Sequence, residues 1–305
     1  MPSILPNQKF TDKYRPKNLN EVAGNENIIK CLKSFKLENL PNMLFFGPPG
    51  TGKTTSIKAL IYDKMSRNNI IELNASDERG IETVRTTIKQ FAEASCENRL
   101  VILDEADSMS KDAQGALRRV MEDFPNCRFC LICNFSRKII DPIQSRCAKF
   151  RFNSISLGEV KKHMVEIIKK EEIPVKDSEA LEILAKSANG DMRKLINDLQ
   201  GIKAGFNEIS KENIEEFLGI TSKTKIDRIF QLLTNKQLSF KQRYKKIIEE
   251  NVECADVIKQ ISEIVLFSEI PDKLRIIKEL SEIEYNLSLG CSDKIQFQGF
   301  VGAFE

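Results

Sequence analysis

Residues 47–54 read Gly-Pro-Pro-Gly-Thr-Gly-Lys-Thr, a G-x-x-x-x-G-K-[ST] loop, set between the apolar run Met43–Phe46 and a helix-compatible stretch at 54–65. Strand, glycine loop and helix in that order let successive backbone N–H groups close around phosphate oxygens. Lys53 adds a point charge and Thr54 offers a hydroxyl to Mg²⁺. A second apolar run, Leu100–Leu103, ends on the adjacent carboxylates Asp104 and Glu105. The two motifs together point to a nucleoside triphosphate that is bound and hydrolysed.

From Met43 to about Phe152, strand candidates alternate with helical stretches. The strands are Met43–Phe46, Ile70–Leu73, Leu100–Leu103, Phe129–Cys133 and Lys149–Phe152, and the helices lie at 54–65, 81–95 and 111–122. Such alternation predicts an α/β fold, a parallel sheet with helices on both faces and the ligand at the carboxyl ends of the strands. The glycine loop, Asp104, Asn134 and the turn Asn74-Ala-Ser-Asp77 all follow strands, so their polar groups converge on one edge.

After Phe152 the pattern is helical only. Stretches at 157–171, 178–188 and 192–204 form a three-helix segment, with Gly190 and Asp191 as the turn and N-cap before the third. A second helical region begins near Thr221, with helices expected at 225–233, 240–249, 255–267, 272–287 and 292–304. The chain therefore divides into 1–153, 154–220 and 221–305. Leu274, Ile277, Leu280, Ile283 and Leu287 make one apolar stripe, expected to pack inside the last region or against other chains.

With 47 basic and 44 acidic side chains the net charge is only +3, so any nucleic-acid contact has to come from a local patch. No apolar run approaches bilayer length or resembles a signal peptide, and no membrane partner is expected. Eight cysteines without a secretory signal suggest free thiols in a reducing compartment. Cys127-x-x-Cys130-x-x-Cys133 imitates a metal-ligand spacing. Read as a strand, however, it points Cys127 and Cys133 one way and Cys130 the other, so core packing is the better reading.

Anhydride hydrolysis at such a loop needs a metal bridge, a group acting on water, and positive charge near the phosphates. Asp104 is the candidate Mg²⁺ partner beside Thr54, directly or one shell out, and Glu105 the candidate general base. Residues 104–107 spell Asp-Glu-Ala-Asp, a tetrapeptide shared with a helicase family, but no second sheet-forming lobe follows residue 152.

Several motifs, taken together, resemble a known family. They are Lys13-Tyr-Arg-Pro16, the loop at 47–54, Asn74-Ala-Ser-Asp-Glu-Arg-Gly80, the acidic motif at 104–107, Asp112-Ala-Gln-Gly-Ala-Leu-Arg-Arg119, Cys133-Asn134 and Ser145-Arg-Cys147. The combination is similar to the clamp-loader small subunits of replication factor C, which are AAA+ ATPases. Phe129-Cys-Leu-Ile-Cys-Asn134, Gly190-Asp-Met-Arg193 and Ile283-Glu-Tyr-Asn-Leu-Ser-Leu-Gly290 with Lys294-Ile-Gln296 most resemble the subgroup numbered five in the human scheme and three in the budding-yeast scheme. Against that family the chain ends slightly early at Glu305, so an incomplete last helix is expected.

The resemblance implies an AAA+ ATPase domain, a helical lid and an all-α collar that assembles the ring. It implies ATP and Mg²⁺ as ligands and the nucleus as location. The implied partners are the large and small subunits of a heteropentamer, the sliding clamp PCNA and primer–template double-stranded DNA. Nucleotide contacts would come from Tyr14, Arg15, Pro16 and Val22, near the adenine, and from Gly47, Pro48, Pro49, Gly50, Thr51, Gly52, Lys53, Thr54 and Thr55. Asn134 matches sensor 1, Arg193 sensor 2, and Arg146 an arginine finger acting in trans on a neighbour's ATP. Arg79, Arg85 and Lys89 would track DNA phosphates, the last two lying beside a helix face of Ile81, Val84, Ile88 and Phe91 that packs on the sheet.

Three rivals remain at this point. A protein-remodelling unfoldase would need an exposed aromatic pore loop, where this chain has Arg79, Gly80 and Arg85. A structural ATP-binding subunit is opposed by intact Lys53, Asp104, Glu105 and Asn134. A place in a variant clamp loader, for checkpoint or cohesion, is open.

Overall fold

A computed structural model describes residues 9–62, 64–76, 84–93 and 99–305. The chain splits into two compact units, Met1–Lys211 and Glu212–Glu305.

The first unit is built on five strands: β1 (Met43–Phe46), β2 (Ile70–Asn74), β3 (Arg99–Asp104), β4 (Cys127–Cys133) and β5 (Ala148–Arg151). Their order is β2-β3-β4-β1-β5 and every neighbouring pair is parallel. The central strands are nearly continuous apolar runs because both faces are covered. On one face Leu44, Val101, Leu103, Phe129 and Leu131 meet Leu117, Val120 and Met121 of α5 (Lys111–Asp123). On the other, Met43, Phe45, Leu100, Ile102 and Ile132 meet Ile57, Leu60 and Ile61 of α3 (Lys53–Ile61) and Ile29 and Leu32 of α2 (Glu26–Ser34).

Strand alternation also settles the cysteine run. Cys127 and Cys133 belong to the first core and Cys130 to the second. All three are buried, and burial pushes Cys127 up to about 11 and Cys133 up to about 12. Among the described residues no cluster of metal-ligating side chains is present.

Before the sheet lies a short helix, α1 (Phe10–Lys13). The helix expected at 81–95 is described only between residues 84 and 93, as a π-helical turn, Val84–Ile88, running into α4 (Lys89–Glu93). Ile88 is buried in the first core and Phe91 packs against it, as the face predicted. Ile81 and Arg79 lie outside the described residues. After β4, α6 (Asp141–Gln144) starts with Pro142 in its first turn and leads into β5.

Three helices complete the first unit: α7 (Leu157–Lys170), α8 (Ser178–Ser187) and α9 (Met192–Gly205). Ser156 and Glu159 form a capping box at the start of α7, and Asp191 caps α9 through the N–H groups of Arg193 and Lys194.

Helix α10 (Lys211–Leu218) begins at the boundary. The second unit continues with α11 (Lys223–Thr234), α12 (Phe240–Glu249), α13 (Cys254–Phe267), α14 (Lys273–Ser288) and α15 (Asp293–Gly302). Its core joins Ile229, Val257, Ile261, Leu280 and Phe300. One member of the expected stripe departs from it. Leu274, in the first turn of α14, is 84% exposed, and Ile276, Leu280 and Ile283 make the buried face. Among the described residues no helix is long and apolar enough to cross a membrane.

Candidate nucleotide site

The glycine loop leaves β1 at Phe46, which is held to the chain after β5 by Phe152 N–H donating to its carbonyl at 2.8 Å. Gly47 stands at φ 143°, and a Cβ there would lie 2.1 Å from the Phe152 carbonyl oxygen, so the turn admits only glycine. Thr51, buried, ties the loop by donating from Oγ1 to the Pro48 carbonyl at 2.9 Å. Pro48 and Pro49 are exposed, Gly52 is half-buried against Val22, and Thr55 is half-buried in the first turn of α3.

Lys53 is the buried cation at the centre. Its Nζ donates to the carbonyls of Gly47 (2.6 Å) and Pro48 (2.7 Å) and to Asn134 Oδ1 (3.0 Å). Burial pushes its ammonium down and Arg193 adds repulsion, while Asp104, Cys133 and Asp107 pull the other way. Thr54 Oγ1 donates to Asp104 Oδ2 at 2.7 Å, and Asp104 Oδ1 accepts the Glu105 backbone N–H at 2.9 Å. Glu105 stands at φ 52°, in the left-handed region, with its side chain exposed at the strand end. That backbone conformation costs about 1–2 kcal/mol in an L-residue.

The structure therefore brings Lys53, Thr54, Asp104, Glu105 and Asn134 to one edge of the sheet. It also brings the start of α9 there. Met192 N–H donates to the Gly50 carbonyl at 3.2 Å, and a Cβ on Gly50 (φ 66°) would lie 1.7 Å from Asp191 Oδ1. Arg193 follows, exposed, one residue beyond this contact.

Two contacts, one at this edge and one further along α9, were not anticipated as such. Asp107 Oδ2 accepts the N–H groups of Asn134 and Phe135, both at 3.3 Å, and so pins the end of β4. The Asp-x-x-Asp spacing is the only signal for it. Glu171, at the end of α7, accepts bonds from Lys13 Nζ (2.6 Å), from Lys203 Nζ (2.8 Å) and from the Tyr14 hydroxyl. Burial alone would raise that carboxyl, but the three bonds outweigh it and hold it down to about 2. Tyr14 thus joins the N-terminal arm to the three-helix segment. Arg15 is exposed and Pro16 half-buried.

Arg146 is elsewhere. It precedes β5, whose first residue pairs with the first residue of β1, so it stands at the amino edge of the sheet. Its Nη1 donates to the Pro142 carbonyl at 2.6 Å and its Nη2 bonds Glu122 Oε1. Helix α5 runs back from the carboxyl edge, and the twelve steps from Ser110 to Glu122 carry it about 18 Å away. Lys89 also stands apart, exposed and paired with Glu93 at 3.5 Å. The Arg85 side chain lies outside the described residues.

Oxygen donors, glycine turns and a buried lysine form a set that suits a nucleotide's phosphates with a hard cation. Comparisons with known proteins agree. The family model described as "ATPase family associated with various cellular activities (AAA)" matches residues 43–155, and that described as "Replication factor C C-terminal domain" matches residues 221–303. Replication factor C subunit 3 of Oryza sativa subsp. japonica is 39% identical, over 97% of this chain and 86% of its own length.

The chain belongs to the replication factor C small subunits. Replication factor C subunit 5 of Homo sapiens is 36% identical over 99% of this chain and 92% of its own. The replication factor C small subunit of Sulfolobus acidocaldarius is 38% identical over 96% and 94%. Among solved structures, the Thermotoga maritima RuvB Holliday junction branch migration motor superposes with a TM-score of 0.56 at 20% identity, over 79% of this chain and 86% of that one. That likeness shows the shared fold. The protein is thus an AAA ATPase and a clamp-loader component that assembles with other replication factor C subunits.

Proposed function

We propose that this subunit binds ATP at residues 47–55, closes a heteropentameric ring of large and small subunits onto the sliding clamp PCNA, and hydrolyses ATP when primer–template DNA enters, leaving the clamp closed on DNA. The work takes place in the nucleus. Residues 1–153 act as the ATPase domain, 154–220 as the lid and 221–305 as the collar.

In this reading Lys53 exchanges its two carbonyl partners for phosphate oxygens, and the loop N–H groups close around them. Glu105 takes the proton of the attacking water, and Asn134, released from Lys53, orients that water or the γ-phosphate. Arg193 reaches from α9 toward the same phosphates, and Tyr14, Arg15, Pro16 and Val22 flank the base. Thr54 and Asp104 would hold Mg²⁺, which would supply neutralising charge beside the phosphates.

One observation carries the proposal. Lys53, Thr54, Asp104 and Asn134 meet at the carboxyl edge, whereas Arg146 sits on Glu122 at the amino edge, about 18 Å along α5. A finger there serves a neighbour's ATP, and this site waits for another subunit's finger. Such fingers contribute about 10³–10⁵ in rate in GTPases. The isolated subunit should therefore bind ATP yet turn it over weakly, with strong stimulation in the assembled ring. Equal turnover by monomer and ring would defeat the trans reading.

A further inference from the structure

The guanidinium of Arg146 is braced by two rigid elements. Its Nη2 meets Glu122 Oε1 at the last turn of α5, and its Nη1 donates to the Pro142 carbonyl in α6, where proline stiffens the first turn. The same Glu122 oxygen also accepts Arg118 Nε at 3.0 Å, one helical turn earlier. We propose that Glu122 is the positioning residue of Arg146, aiming its guanidinium at the neighbouring subunit's γ-phosphate. This rests on the trans-finger reading above.

Three features favour a brace over a restraint. An arginine has five N–H donors, and these contacts use two, so three stay available to phosphate oxygens while the brace is kept. The Arg146 side chain is 38% exposed, which leaves an open face. Two guanidinium groups share one carboxylate, so the cluster retains net positive charge, and Glu122 keeps a partner in Arg118 throughout. An exposed ion pair contributes little to stability, so its value lies in direction. A long side chain held in place before the phosphate arrives loses less freedom when it binds, and small misplacements of a reacting group are costly in rate.

The test uses the assembled ring with this chain's own site silenced by Glu105→Gln and the corresponding carboxylate replaced in every other subunit except the neighbour that Arg146 serves, so that the turnover read is that of the neighbour's site. Glu122→Ala should slow that site about 10-fold or more, with its ATP affinity unchanged. Glu122→Gln, which keeps the Oε1 acceptor, should recover most of the lost rate. In an Arg146→Ala background Glu122→Ala should have no further effect, and the melting temperature of the isolated subunit should not change in any variant. If Arg146→Ala slows the site and Glu122→Ala does not, the positioning role is overturned alone. The same follows if Glu122→Ala costs as much without Arg146 as with it. If Arg146→Ala itself changes nothing, the trans-finger reading falls and the role of Glu122 falls with it.

Discussion

Gly50→Ala tests the coupling between the phosphate loop and the start of α9. Gly50 stands at φ 66°, where an L-residue pays about 1–2 kcal/mol. The added Cβ would lie 1.7 Å from Asp191 Oδ1, so the carboxylate has to swing away. It then gives up its bonds from Arg193 N–H (2.8 Å) and Lys194 N–H (3.0 Å), an N-cap worth about 0.5–2 kcal/mol. Reduced freedom of the unfolded chain returns about 0.4–1 kcal/mol. The net loss is about 1–3 kcal/mol, read by urea unfolding followed by circular dichroism, since the chain has no tryptophan. Because the clash and the cap share one carboxylate, Asp191→Ala should cost markedly less in the Gly50→Ala background than alone. Unchanged stability for Gly50→Ala, or strict additivity of the pair, would refute the contact.

Glu171 is held at about 2 in the folded chain against an ordinary 4.5, so its stabilisation is present above pH 4.5 and lost as pH falls toward 2. Glu171→Gln should remove up to about 3 kcal/mol at neutral pH and flatten the acid limb of the stability profile. Gln114, 2% exposed, donates to the Met109 and Lys138 carbonyls and accepts Ile140 N–H, so Gln114→Ala orphans three backbone groups. It should cost about 2–3 kcal/mol in chemical denaturation. Changing Arg79, Arg85 and Lys89 together to Ala should reduce the salt slope of DNA binding by the assembly by about 3, with affinity lost equally across sequences. No change in affinity or slope would remove these residues from the DNA path.

The strands were readable because their burial is complete: Met43–Phe45 and Leu100–Leu103 carry no polar side chain to blur the pattern. Period-two alternation alone separated Cys130 from Cys127 and Cys133, and the cap chemistry of Asp191 marked the start of α9. Where an element is short or half-polar the pattern fails, as with α1, α2 and α10, none of which was anticipated. The stripe in α14 was nearly right, but a helix's first turn can overhang its partner, and Leu274 does.

At the site, motif spacing placed Lys53, Thr54, Asp104, Glu105 and Asn134 on one edge, because each follows a parallel strand. Contacts made across long sequence separations left no such trace. The Tyr14 bond to Glu171, the Gly50 approach to Asp191 and the Glu122 brace on Arg146 each depend on where two elements meet in space.

The central claim, that this chain hosts a working ATPase site inside a ring, rests most directly on Glu105. Site-resolved ATP turnover in the reconstituted ring, with clamp and primer–template DNA present, should fall by at least about 10²-fold at this subunit in Glu105→Gln while ATP binding persists. Turnover at the wild-type rate would contradict the account and leave this subunit a structural holder of nucleotide.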